Sequence, residues 1–107
     1  MRMWNVNTDV MCNKHLLGEH VEMHMFTGSI NKGINMQGYL DKGLVEIHNI
    51  NKRHKELVKE MKKRGMIHNS PLNFICNNEI GYVDSIYNLQ ELNYRCEECR
   101  RLQNVSN

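Results

Sequence analysis

The sequence predicts an all-α protein, a small single domain of three main helices with short helical turns and a glycine-rich connector. Apolar residues recur at helical spacing in three segments, and no segment shows the apolar-polar alternation of a strand. The chain has 107 residues, 40% hydrophobic and 24% charged, which favours a folded chain over a disordered one. We therefore expect residues 1–107 to form one helical domain.

The first helix is predicted over residues 8–26. Thr8 and Asp9 are favourable N-cap residues ahead of an apolar-periodic run, and Gly18 lowers helix propensity without ending the helix. One stripe of the helix is apolar and consists of Val10, Leu17, Val21 and Met25.

A second stripe of this helix carries ionisable groups. His15, Glu19 and Glu22 are spaced by four and three residues, so at about 100° per residue they share one face. A face that holds two carboxylates and an imidazole is either solvated or directed at a ligand.

The middle of the chain changes character. Glycines recur every five residues from Gly28 to Gly43, which predicts a loop-rich connector with a single helical turn over residues 39–42. Asn51 can cap a second helix that runs to about Arg64, and Gly65 can close it in the left-handed conformation. The lysines of this helix face outward, as a solvated surface or as phosphate contacts.

The C-terminal third is predicted to add one long helix. Pro71 suits the first position of a helix that follows a stop at residues 68–70. The last helix is expected to begin near Asp84 and to run through Leu102. Its apolar residues at helical spacing are Ile86, Leu89, Leu92, Cys96 and Cys99.

Charge and hydropathy limit the partners. The net charge is only +2, but seven of the fourteen Lys and Arg residues fall between Lys52 and Arg64, which makes a local basic surface. No apolar run has the length of a membrane span, and no signal peptide is recognisable. We expect a soluble, intracellular protein with no membrane partner.

The metal-binding signals are incomplete. Cys96 and Cys99 form a CxxC, and Cys76 with a histidine could complete a four-ligand zinc site, although packed thiols are the alternative. His20 and His24 lie four residues apart, a spacing that suits one metal ion or two hydrogen-bonded histidines. HExxH and the phosphate-binding glycine motifs are absent, and we expect neither a metal nor another cofactor.

The N-terminus offers a nucleophile. Methionine removal requires a small second residue, and Arg2 is large, so Met1 is expected to keep its own α-amine. Because the pKa of an α-amine is about 7.7 to 8.0, part of it is neutral and nucleophilic at physiological pH.

Three segments, MRMW, KHLLGEHVEMHM and RHKELVKEMKKRG, resemble the phage and algal-virus pyrimidine-dimer DNA glycosylases, which also have abasic-site lyase activity. The resemblance covers roughly half the chain. Its most specific part is the motif His-Leu-x-x-Glu-x-x-Glu, which begins fourteen residues after the N-terminal amine.

The resemblance implies a role for each matching residue. Met1 would attack the sugar and form an imine with DNA, and Glu22 would be the essential carboxylate. Arg2 would contact a phosphate, His15 would line the site, and Glu19 would orient its neighbours. Arg53 and Arg64 of the matching second helix would contact double-stranded DNA. Lys59 and Lys63 of the basic surface are further candidate DNA contacts.

The chain also departs from the family pattern. Family arginines of the first helix correspond to Val21 and Met25, an RCEEC segment replaces the aromatic C-terminal tail, and Met1 replaces the usual N-terminal threonine. The lesion could therefore be a pyrimidine dimer, a modified base or an abasic site. We expect a monomeric DNA repair enzyme; the alternatives are a non-catalytic nucleic-acid-binding module and a small metal-binding protein.

Overall fold

The computed structural model describes residues 1–106, with side chains to residue 104, and all regular secondary structure in that range is helical. The all-α prediction is confirmed. The helices are α1 Asn13–Asn31, α2 Gln37–Asp41, α3 Ile50–Lys63, α4 Ser85–Arg95 and α5 Glu97–Ser106, with 3-10 turns at Thr8–Val10 and Ile47–Asn49. Within residues 1–106, no helix is both long enough and apolar enough to cross a membrane.

The first helix begins later and ends later than predicted. Thr8 starts a separate 3-10 turn, which Asn7 caps by accepting a hydrogen bond from the Asp9 N–H. Met11 and Cys12 are extended, so α1 starts only at Asn13. It continues through Gly28 to Asn31.

Only Val10 of the apolar stripe expected on this helix is buried, and it lies in the 3-10 turn that precedes α1. Leu17, Val21 and Met25 are 41%, 53% and 49% exposed, whereas the polar Glu19 is only 1% exposed. The inner face instead carries Leu16, Glu19, His20, Met23 and Phe26. The prediction was wrong because a cation supplied by α3 compensates the charge of Glu19.

That cation is Arg53, which joins α3 to α1. Its Nε and Nη2 donate to the two oxygens of Glu19 at 2.6 and 2.9 Å, and both side chains are almost fully buried. The Nη1 group donates to the Val6 carbonyl at 2.8 Å, so the same guanidinium also holds the N-terminal segment. Such bidentate pairs fix orientation as well as adding energy.

The N-terminal segment is fastened at further points. The Met3 N–H donates to the Leu44 carbonyl at 2.7 Å, and the Asn88 amide donates to the Trp4 carbonyl at 3.0 Å. Met3 and Trp4 are buried in the core. These contacts fix where the chain start lies against α1.

The second predicted helix is confirmed as α3, and Gly65 has the expected positive φ of 82°. The helix start predicted at Pro71 is wrong, since residues 66–84 are not helical. Part of that segment docks on the connector, where the Val83 N–H donates to Glu46 and the Ile47 N–H donates to the Ile80 carbonyl.

The last predicted helix begins where expected but is divided in two. Asp84 caps α4 by accepting from the Tyr87 N–H, and Cys96 is extended with φ −126° and ψ 112°, which separates α4 from α5. Leu92 and Cys99 are buried as predicted, whereas Ile86 is 73% exposed.

Candidate active site

A cleft of about 470 Å³ lies between the N-terminal segment and α1. Both carboxylates and the imidazole of the predicted polar stripe line it, together with the start of the chain. We call it the amine cleft, and its lining residues are Met1, Arg2, Trp4, Lys14, His15, Gly18, Glu19, Glu22, Leu44 and Arg95.

The chain terminus faces a carboxylate in this cleft. The Met1 amine nitrogen lies 3.9 Å from Oε1 of Glu22. The two side chains are 14% and 27% exposed, so the pair is partly shielded yet reachable. An amine beside a carboxylate can carry out both nucleophilic attack and proton transfer.

The environment of Glu22 favours its neutral form. Burial raises the pKa of this carboxyl above its usual value, and the charge of the Met1 amine and the Arg2 backbone amide only partly oppose that effect. Glu19 adds a small repulsion in the same direction as burial. New positive charge in the cleft would lower the pKa of Glu22 again and favour its carboxylate form.

Five residues that line the cleft were not among the predicted site residues: Trp4, Lys14, Gly18, Leu44 and Arg95. The Arg2 guanidinium carbon lies 4.4 Å from the ring centroid of Trp4, a cation–π contact that orders both side chains at the mouth. Lys14 and Arg95 add positive charge. Lys14 could have been noticed because it precedes His15 in the matching motif, but Arg95 comes from α4 and carries no local signal.

Glu19 lines the amine cleft and is paired with Arg53, which lines the neighbouring cleft on the other side of the N-terminal segment instead. Arg53 is 3% exposed and is bonded to Glu19, Glu56 and the Val6 carbonyl, and its contact with DNA stays a prediction. The pairing fits the expected role of Glu19, which is to orient its neighbours.

The basic residues of α3 do not line the amine cleft. Lys59 and Lys63 are exposed and line a separate cleft of about 540 Å³ with residues 5–9 of the N-terminal segment. Arg64 is engaged by Glu60 at 2.8 Å, by Asn13 at 2.9 Å and by the Thr8 carbonyl.

The predicted metal ligands are rearranged in space. Cys96 and Cys99 lie beside Cys12 and His15, whereas the Cys76 thiol donates to the Asn78 carbonyl and is not part of that group. The pair His20 and His24 is joined by His54 from α3 and by His68. The local spacing of the sequence could not reveal either group, because each draws on segments far apart in the chain.

A model of the family described as pyrimidine dimer DNA glycosylase matches residues 1–74, which contain the N-terminal segment, α1 and α3. The match places this small helical protein in the DNA glycosylase class. The chain belongs to the pyrimidine dimer DNA glycosylase family. Membership supports a DNA glycosylase function in pyrimidine dimer repair, with DNA as the substrate. No curated protein and no solved structure matches the chain.

Proposed function

We propose that this protein is a DNA glycosylase with abasic-site lyase activity, in which the Met1 α-amine is the nucleophile and Glu22 is the essential carboxylate. The observation that carries the proposal is the 3.9 Å separation of these two groups inside the amine cleft. The family match supports the glycosylase class, and the geometry supports these residues within it.

In the first step the neutral amine attacks C1′ of the damaged nucleotide. A bond forms between the Met1 nitrogen and C1′, and the bond from C1′ to the base breaks with its electron pair leaving on the base. Positive charge develops on the sugar as the base departs, and the Glu22 carboxylate stabilises it across the cleft. The departed base takes one proton from the amine, the C1′–O4′ bond then breaks with its electron pair on O4′, and O4′ takes the second amine proton, which leaves a C1′=N imine.

The second step is β-elimination. The imine acidifies C2′, Glu22 accepts the C2′ proton, and the 3′ phosphate leaves with the electron pair of its C–O bond. Burial raises the pKa of Glu22, which improves it as a base relative to an ordinary surface carboxylate. Water finally hydrolyses the imine and regenerates the amine.

The substrate in this proposal is double-stranded DNA, bound by a monomer. A cleft of this size accepts one nucleotide extruded from the duplex rather than the duplex itself. Arg2, Lys14 and Arg95 supply the positive charge that contacts flanking phosphates, and His15 lines the wall. Lys59 and Lys63 extend the basic surface along α3.

Borohydride trapping tests the proposal. Abasic duplex DNA and sodium borohydride should give a covalent complex, because borohydride reduces the imine. A chain extended by two residues before Met1 should lose trapping below detection, because the extension moves the amine away from Glu22. The same extension at the C-terminus is the matched control and should trap normally. N-terminal sequencing establishes that the trapped chain begins at Met1.

Equal trapping by both extended chains would exclude the Met1 amine. DNA binding without any trapped species would instead support a non-catalytic binding module.

A further inference from the structure

Two short motifs that are far apart in the chain meet at one point. Cys12-x-x-His15 begins α1 and Cys96-x-x-Cys99 begins α5, with Cys12 and Cys96 each directly before the first helical residue. The four ligand atoms lie within 4.8 Å of one another. Both pairs have a two-residue spacing, and helix N-termini favour the thiolate form of cysteine.

The distances agree with those of a tetrahedral zinc ion. Zn–S bonds of about 2.3 Å and Zn–N bonds of about 2.0 to 2.1 Å place sulfur atoms about 3.8 Å apart and a sulfur about 3.6 Å from a nitrogen. Sγ of Cys12 lies 3.8 Å from Sγ of Cys96. Nδ1 of His15 lies 3.2 Å from Sγ of Cys12 and 3.7 Å from Sγ of Cys99.

The backbone around the sulfurs is arranged for metal-bound thiolates. The Cys12 N–H points at Sγ of Cys99 at 3.2 Å, and the Cys99 N–H points at Sγ of Cys96 at 3.5 Å. Donors to the ligand atoms are typical of metal sites, where they orient the ligands. All four cysteines of the chain are free thiols.

We propose that Cys12, His15, Cys96 and Cys99 bind one structural zinc ion. The site fastens α5, which lies beyond the family match, to the start of α1. It also fixes the ring of His15, which lines the amine cleft. The metal would thus hold the C-terminal helices of the chain against α1. This proposal differs from the sequence-based expectation, which was that the chain binds no metal.

A second, independent observation concerns the other histidine cluster. His20 and His24 of α1, His54 of α3 and His68 all bury an Nε2 atom that has no hydrogen-bond partner. The rings of His24 and His54 pack edge to face, with centroids 4.9 Å apart and planes at 88°, and the centroids of His20 and His54 are also 4.9 Å apart. A buried polar atom without a partner destabilises the fold, and four such atoms come together here.

A metal ion satisfies all four atoms at once. Because the ligand atoms lie within 4.8 Å of one another, some point lies within roughly 2.9 Å of every one of them, and small ring rotations shorten that distance to a Zn–N bond. Imidazole ligands suit zinc and other late divalent transition metals. We infer that His20, His24, His54 and His68 bind a second divalent ion, for which zinc is the test metal.

Metal content of single variants tests both sites. The full chain, purified with zinc and then desalted, should carry about two equivalents, one for each four-ligand site. Cys96→Ala should retain one equivalent, His68→Ala should retain one, and the double variant should retain none. Cys76→Ala, which removes the thiol outside the cluster, is the matched control and should retain both.

Cobalt distinguishes the sites when a variant folds poorly. In the unmutated chain cobalt should give thiolate-to-metal charge-transfer absorption that persists in His68→Ala and disappears in Cys96→Ala. Chelation should lower the melting temperature, since a ligand bound only by the folded chain stabilises it. No charge-transfer band, or a disulfide between Cys12 and Cys96, would overturn the first site. Unchanged zinc content in His68→Ala would overturn the second.

Discussion

Glu22→Gln should slow base removal and β-elimination by about 10²- to 10⁴-fold, the range typical for loss of a catalytic carboxylate or electrostatic group. The amide keeps the size of the side chain, so the amine cleft should keep its shape. It carries no charge to stabilise the sugar and cannot accept the C2′ proton. The fold should be unaffected, because Glu22 is partly exposed and burial already disfavours its charge.

Single-turnover kinetics on a duplex with one lesion measure this effect, and fluorescence anisotropy measures DNA affinity separately. Glu79→Gln is the matched control, because Glu79 is exposed in the segment between α3 and α4 and does not line the cleft. It should react at the normal rate. If Glu22→Gln also reacted within a few fold of the unmutated chain, Glu22 would have no catalytic role.

The fold class could be read from the sequence, because it depends on local periodicity. The helix limits of α3, its closure by Gly65 and the capping of α4 by Asp84 follow from residues adjacent in the chain. The helix start predicted at Pro71 was wrong because it, too, rested on local sequence alone. A proline is compatible with a helix start but does not require one, and the later part of this non-helical segment is bonded to the connector at Ile80 and Val83.

The orientation of α1 could not be read in this way. By hydrophobicity, Leu17, Val21 and Met25 should be inside and Glu19 outside, and the structure has the reverse. The outcome depends on Arg53, which lies 34 positions further along the chain. The spacing of residues within α1 contains no information about a partner residue in α3.

The candidate site was partly predictable. The spacing of His15, Glu19 and Glu22 placed them on one face, and they do line one cleft with Met1. The resemblance was needed to single out the chain terminus. Arg95 could not be predicted, since it reaches the cleft only through the packing of α4. The two clusters of metal-type ligands could not be predicted for the same reason, because each combines residues from segments that are far apart in the sequence.

The largest expected effect on stability concerns the buried ion pair between Glu19 and Arg53. Glu19→Gln should lower the free energy of unfolding by about 3–5 kcal/mol, the usual cost of leaving one member of a buried ion pair without its partner. The Arg53 guanidinium, which is 3% exposed, would then lie beside a neutral amide and keep only the 3.2 Å ion pair with the 44% exposed Glu56. Urea unfolding followed by circular dichroism measures the loss.

Two further variants show whether charge is the cause. Arg101→Met removes an arginine whose ion pair with Glu98 is solvent-exposed, and it should leave the unfolding transition where it is. The double variant Glu19→Leu with Arg53→Met removes both charges and should recover much of the stability lost in Glu19→Gln, because a well-packed apolar pair can replace a buried ion pair. If the double variant were less stable than Glu19→Gln, the hydrogen bonds from Arg53 to the Val6 carbonyl and to Glu56 would outweigh the charge compensation. In that case Arg53 would serve mainly to hold the N-terminal segment, and with it Met1, against α1.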